Sequence, residues 1–447
     1  MFVSSTRAAL LFAAQAAAYP WVVHAPGVDS SALPPRAANL ARRDSPGCPF
    51  NANHEPGFSS TDEFPYLGAK NGLPGTGKGG IQVPAPGDVA HEYKEPNPQT
   101  DIRGPCPALN ALANHGFIAH DGITTYNELM DAQQNVFNVG FDLATILAIA
   151  GVGQGGDLLE TKKLSIGCDA SSRTSGIIGG LLGDELGLNG HNHFESDTSL
   201  TRNDYYLSPT RDNYSFNSTL FTSMMAACDG ECDRSKLSVY RKQRYEESKR
   251  DNGQFFFGPI QIALYAAAAF VYDLFGTGPT ASEATIMSFF GATKSPSTGE
   301  YTFTGGERIP PNWTNRLTPY GELQLIPEFT AMYLENPVPF GFNSGPNNFL
   351  GLNFSSYIKD GKLNEESVKG LPCALYLALG TVPSATGELL NLPVRVVNVI
   401  AEKVAPFMRD LGCPNNYNDG DQSPGPLAGG VEGGDGGGGG LLGLGGL

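Results

Sequence analysis

Arg103-Gly104-Pro105-Cys106-Pro107-Ala108-Leu109-Asn110-Ala111-Leu112-Ala113-Asn114-His115-Gly116 is the stretch from which the rest of the chain is best read. A cysteine between two prolines cannot lie inside a helix or a central strand. Pro107 suits the first position of a helix, which makes Cys106 its N-cap. The sulfur then faces free backbone N–H groups and the positive end of the helix dipole. That setting favours thiolate over thiol. A thiolate held at a helix start is either a nucleophile or a metal ligand.

Downstream of Cys106 the pattern is helical. Thr125-Tyr126-Asn127-Glu128 is a capping box, followed by Leu129, Met130, Val136 and Phe137. Phe141 to Val152 is almost wholly apolar over 12 residues, long enough for a buried helix. Leu237 to Arg250 is charged and helix-favouring, and Ile260 to Phe275 holds four consecutive alanines. Leu392 to Leu411 begins with Pro393 near a first turn and repeats apolar residues at helical spacing. Runs of alternating apolar and polar residues are scarce. The expected fold is mainly α, one catalytic domain of about 370 residues with long connections, whose C-terminal third packs as an annex.

The ends of the chain read differently. Arg7 followed by the apolar Ala8 to Ala18, with Ala16-Ala17-Ala18 at its end, fits a secretory signal over 1–18. It is too short to span a membrane. A Pro- and Ala-rich piece then runs to Arg42-Arg43, which reads as a dibasic processing site closing a propeptide over 19–43. Residues 44–99, rich in Gly, Pro and Asn, should form a loop-rich arm. Residues 100–320 form the expected core, 321–414 a C-terminal extension, and 415–447 a Gly-rich, disordered tail. Sequons at Asn213, Asn217, Asn312 and Asn353 suit a glycosylated, extracellular protein.

The formal net charge is −16. The leader to Arg43 carries four Arg and one Asp, which leaves the remainder at about −19. So acidic a protein should bind neither nucleic acid nor an anionic membrane, and no obligate protein partner is evident. Seven cysteines make an odd number, so one stays unpaired in a monomer, and Cys106 is the natural one. Cys228 and Cys232 are close enough to bridge locally. Cys373 with Cys413 would tie down the C-terminal region, with Cys48 and Cys168 as the remainder; sequence alone leaves this connectivity open.

Three further motifs carry less. Gly72-Leu-Pro-Gly-Thr-Gly-Lys-Gly79 approaches a phosphate-binding loop, but Gly79 stands where magnesium needs Ser or Thr. A flexible loop is the better reading. Gly151-Val-Gly-Gln-Gly-Gly156 fits a dinucleotide fingerprint without the strand–helix alternation around it, and is expected to be a turn at a helix end. His191-Asn192-His193-Phe194-Glu195 is either a metal cluster or a solvated loop. The adjoining Glu195-Ser196-Asp197-Thr198-Ser199 offers hard oxygen donors at close spacing, which suit Mg²⁺ or Mn²⁺. An Asx-rich turn would look the same.

Taken together, Pro105-Cys106-Pro107 with Asn110, Ala113, Asn114, His115 and Gly116, followed by Glu195-x-Asp197-x-Ser199-x-x-Arg202, resembles the fungal heme-thiolate peroxidases, the family of chloroperoxidase and unspecific peroxygenase. The resemblance covers roughly Asp101 to Phe275. It implies a helical, heme-haloperoxidase-like single domain with long loops and a disulfide-tied C-terminal extension, the Cys373–Cys413 pair resembling one found in longer members. It also implies heme b, with Cys106 as axial iron ligand. Glu195 and Ser199 would hold Mg²⁺ or Mn²⁺ beside a heme propionate through side chains, and Ser196 through its backbone carbonyl. Asp197 matches the acidic position of the motif without an assigned bond.

The far side of the expected heme departs from the pattern. The family uses a glutamate as acid–base for peroxide, preceded seven residues earlier in the peroxygenase-like branch by an arginine. Laid on Arg244-x-x-x-Ser248-x-x-x-Asn252-Gly253-x-Phe255, those positions fall on Ala268 and Gln261, and a one-residue slip gives only Ala267. Alanine moves no proton; Gln261 can orient peroxide by hydrogen bonding but is no base. Glu246 and Glu247 belong to a solvated helix face. The resemblance therefore implies a secreted peroxidase or peroxygenase that uses hydrogen peroxide on small hydrophobic or aromatic substrates, as in secondary metabolism. Two alternatives stand beside it. One is a heme-binding protein with weak turnover, for want of the glutamate. The other is a structural extracellular protein with Cys106 in a disulfide.

Overall fold

The computed structural model describes residues 44–176, 185–351, 358–359 and 362–363. Among the described residues helix accounts for 36% and strand for 11%, so this part is mainly helical. The leader, Asn353, Cys373, Cys413, the Leu392–Leu411 stretch and the Gly-rich tail lie outside the described residues. The chain divides into two compact units. The larger takes Arg42–Ser248 and Ile262–Asn336; the smaller takes Lys249–Gln261 and the chain from Pro337 on.

The larger unit opens with an irregular arm. One 3₁₀ turn, Val89–His91, interrupts it. A disulfide joins Cys48 to Cys168, and the Ser45 amide donates to Asp169 O at 2.9 Å. The Gly72–Gly79 segment is loop. Helix α1 (Pro107–Asn114) follows, with Cys106 as its N-cap and Pro107 in its first turn. Strand β1 (Ile123–Thr125) leads into α2 (Tyr126–Phe137) through the capping box: Thr125 Oγ1 accepts from the Glu128 amide, and the Glu128 carboxylate accepts from the Thr125 amide. Asn138, left-handed at φ 56°, ends α2.

Helix α3 (Phe141–Gly155) takes in most of the glycine segment that was expected to be a turn at a helix end, and it ends there with Gly156 as its C-cap. The physical reason is close packing rather than flexibility. A Cβ on Gly155 would stand 2.9 Å from Gly187 O, and one on Gly156 would stand 2.2 Å from Lys163 O. The glycines let strand β2 (Lys163–Ser165), which pairs antiparallel with β1, lie directly on the helix.

Helix α4 (Ser218–Cys228), strand β3 (Glu231–Asp233) and helix α5 (Arg234–Asp251) follow, with Cys228 bonded to Cys232. The alanine-rich stretch forms α6 (Ala263–Phe270), which passes without a break into a π-turn, Val271–Phe275. Helix α7 (Glu283–Phe289) and α8 (Glu322–Glu335) complete the unit, α6 packing on α8. The core is aromatic: Phe137, Phe275, Phe289 and Trp313 meet ring to ring, Phe275 and Phe289 stacked at 4.1 Å. Burying rings of this size supplies most of the local stabilisation. In the smaller unit, Phe256–Phe257, Gly341–Asn343 and Phe349–Gly351 form a three-stranded antiparallel sheet.

Candidate active site

Cys106 is the free cysteine among the described residues, which excludes the disulfide-bonded alternative for it there. Its backbone is extended (φ −90°, ψ 110°), as an N-cap requires, and its sulfur makes no capping hydrogen bond. Burial pushes the thiol above its ordinary range; the Leu109 and Ala108 amides and the Arg202 guanidinium pull the other way, and Glu307 adds to the rise. Burial thus works against the thiolate that the helix start favours. Desolvation outweighs the helix terminus. A metal centre bound here would supply the missing positive charge and deprotonate the thiol.

The turn carrying Cys106 is fixed by buried polar groups. Asn110 clasps Gly104 from both sides: its Oδ1 accepts from the Gly104 amide and its Nδ2 donates to Gly104 O, each at 2.9 Å. The same Nδ2 donates to Glu307 Oε1 at 2.9 Å. Asn114 Oδ1 accepts from Arg103 Nε at 2.7 Å, and Asn114 Nδ2 donates to Glu307 O at 2.8 Å. Arg202 donates from Nε to Pro105 O and from Nη2 to Glu307 Oε1, both at 3.2 Å. Asn110, Asn114, Arg202 and Glu307 are all buried. Sequence reasoning missed Glu307. The available signal was Gly305-Gly306 before it, at φ 120° and 136°, a turn that only glycine enters easily.

The acidic block sits against this turn. Arg202, at its end, bonds to the residue preceding Cys106, so residues 97 apart in sequence meet in one place. Helix α5 clamps the block. Arg241 donates to Thr198 O and, at 2.7 Å, to Thr198 Oγ1; Arg244 donates from Nε to Ser199 O at 2.9 Å and from Nη2 to Asp204 at 3.3 Å. Tyr240 donates to Leu200 O at 2.9 Å. Glu246 is exposed, and Glu247 pairs with Arg244.

Within the block, Glu195 Oε2 faces His191 Nδ1 at 2.9 Å, while Glu195 Oε1 and Ser196 Oγ are buried with no hydrogen-bond partner. Burial holds the Glu195 carboxyl well above the usual range. A cation would relieve both features, since it supplies charge and takes the orphaned oxygen. Ser199 Oγ accepts from the Arg202 amide at 3.3 Å and keeps a second lone pair. Among the described residues no group of three or more His, Cys, Asp or Glu is placed to hold a metal. Any ion here would rest on one carboxylate with serine oxygens. His191 stacks on Tyr205 at 4.8 Å, and His193 Nδ1 lies 3.2 Å from Gln154 O.

Ala268 is buried on α6. No Asp or Glu occurs between Asp251 and Asp273, so α6 itself offers no acid. Asp273, in the π-turn, is held by Tyr320 at 2.7 Å and by Arg316 at 3.2 Å. Gln261 is buried in the smaller unit, where its Oε1 accepts from the Gly258 amide at 2.8 Å.

Of the sequon asparagines, Asn312 is exposed and Asn217 caps α4. Asn213 is buried, its amide donating to Asn189 O at 3.1 Å. A glycan needs an asparagine amide in solvent, so the geometry favours Asn312. No described helix is long and apolar enough to cross a membrane.

Residues 91–318 match the family model for "Peroxidase, family 2". The chain is 33% identical over 346 residues to an aromatic peroxidase, fscJ, of Fusarium equiseti, covering 72% of this chain and 78% of the relative. It is 34% identical over 344 residues to the dothistromin biosynthesis peroxidase dotB of Dothistroma septosporum, covering 72% and 81%. An aromatic peroxygenase of Coprinellus radians is 32% identical over 235 residues, 49% of this chain and 87% of that one.

Proposed function

The chain belongs to the fungal heme-thiolate peroxidases, and on that footing we propose that Cys106 is the axial ligand of its heme iron. The protein is an oxidoreductase of the peroxidase class. The observation that carries the assignment of Cys106 is a free, half-buried cysteine at a helix start, in a turn held by Asn110 and Arg202. Those residues fit the group: the sulfur is soft and unpaired, and the buried Arg202 Nη1 has no protein partner. The wider fold is then a helical heme-haloperoxidase-like domain over 100–320, with 44–99 as an arm and 321–414 as an extension.

Heme bound there supplies the redox chemistry with hydrogen peroxide. The chain's part would be to present the Cys106 sulfur and to fix its turn through Asn110 and Arg202. Glu195 and Ser199 side chains with the Ser196 carbonyl would hold Mg²⁺ or Mn²⁺, a role supported by the orphaned Glu195 Oε1. The substrates are small hydrophobic or aromatic molecules, as the names of the relatives suggest, one of which acts in a biosynthesis. The leader sequence and the two disulfides among the described residues support secretion, with Asn312 as the best-placed glycan acceptor there.

A second reading, heme binding with weak turnover, is favoured by one observation: Ala268 stands at the acid–base position and α6 carries no carboxylate. Heme-loaded protein assayed with hydrogen peroxide on a small phenol and on an aromatic hydroxylation substrate decides between them. Sustained peroxide-dependent turnover supports the enzyme. Full heme loading with no turnover supports the alternative.

A further inference from the structure

We propose that Arg202, seated by Glu307, is a positioning residue that sets the charge felt at the Cys106 sulfur; the inference rests on Cys106 being the iron ligand. Three segments distant in sequence converge to build the arrangement: the cysteine turn, the end of the acidic block, and the Gly305-Gly306-Glu307 turn. Arg202 Nε fixes the carbonyl of Pro105, the residue directly before the cysteine, at 3.2 Å. Its Nη2 is taken by Glu307 at 3.2 Å, and its Nη1 is buried without a protein partner.

A fully buried guanidinium–carboxylate pair is costly to desolvate and adds little stability over apolar packing. Its presence behind a ligand thiol therefore calls for another role. Bonded at 3.2 Å to the carbonyl of the residue before Cys106, the buried guanidinium acts on the sulfur through a setting of low dielectric. Glu307 cannot swing away, because Asn110 also donates to it and Asn114 holds its backbone carbonyl. Gly306 permits this approach: a Cβ there would stand 2.6 Å from the Tyr93 hydroxyl. One fixed positive charge near the sulfur draws down the electron density the thiolate gives to iron. One fixed negative charge behind it limits that pull. Charges and hydrogen bonds at this remove tune heme potentials and ligand strength.

The pair predicts shifts of opposite sign, which a purely structural role does not. In heme-loaded protein, Arg202→Gln should move the ferric–ferrous reduction potential to more negative values. Glu307→Gln should move it to more positive values, and Arg202→Lys, which keeps the charge, should leave it near wild type. Shifts of the same sign in the two neutralising variants, or no shift, overturn the proposal. If either single variant gives no folded holoenzyme, the double variant Arg202→Gln/Glu307→Gln, which buries no lone charge, is read instead. Its potential should fall below wild type, and an unchanged value counts against the pair. The wild-type ferrous–carbon monoxide spectrum separates the two levels of the claim. A spectrum without thiolate ligation removes the Cys106 premise and this proposal with it. A thiolate spectrum with the wrong potentials removes this proposal alone.

Discussion

Cys106 lies where two effects oppose each other. The α1 N-terminus and Arg202 favour a thiolate, while burial favours a thiol, and burial wins in the bare protein. The residue pattern alone showed the first effect and not the second, because desolvation depends on segments folded over the turn from far along the chain. Glu307 was illegible for the same reason: it reaches the site from 201 residues after Cys106. Ala268, by contrast, could be read directly, and it makes a clear prediction. If proton transfer limits the reaction, Ala268→Glu should raise kcat/KM for hydrogen peroxide on the order of 10²-fold. An unchanged rate would place the limiting step elsewhere. His115 supplies a test of pH dependence. Burial lowers its pKa from 6.5 to about 4, with Nδ1 donating to His91 O and Nε2 accepting from the Ile309 amide. Its unfolded form takes up a proton near pH 6.5 and its folded form does not until about 4, so stability is full above 6.5 and falls as pH drops between them. The loss amounts to roughly 3 kcal/mol from this group. Denaturant titrations of wild type and His115→Gln across that window should show the steeper decline in wild type.

At the scale of elements, the capping box that starts α2 was legible residue by residue, since every group in it lies within four positions of the next. Thr125→Ala should cost about 1 kcal/mol in chemical denaturation. The start of α1 is held by longer-range bonds. Asn110→Ala removes three buried hydrogen bonds and leaves both polar groups of Gly104 unpaired, so about 2–4 kcal/mol and a loss of heme retention should follow. A variant with wild-type stability and heme content would show that the clasp on Gly104 is not what fixes the cysteine. Two other elements ran past their sequence signals. The glycines of α3 suggested a turn but serve the contact with β2, and the alanine-rich helix α6 ends in a π-turn that no local signal marks. Both outcomes were decided by tertiary packing.

For the whole molecule, composition and periodicity conveyed a mainly helical protein with an irregular arm, because helix periodicity is a local property. The meeting of the acidic block with the cysteine turn is a global one, and it became legible only through the resemblance of the two motifs to a known family. The cross-links act at this scale as well. Cys48–Cys168 spans 120 residues and should stabilise by about 4–5 kcal/mol through loop closure, against about 2 for Cys228–Cys232, which spans 4. Thermal unfolding of the two Cys→Ser double variants should rank them in that order; a larger effect from the short bridge would argue against loop closure as the cause. The central claim, that Cys106 binds the iron, is tested most directly by the absorption spectrum of the reduced, carbon monoxide-bound protein. Wild type should show the red-shifted Soret band of thiolate ligation and Cys106→Ala should lose it. A Cys106→Ala protein that keeps the band would contradict the account.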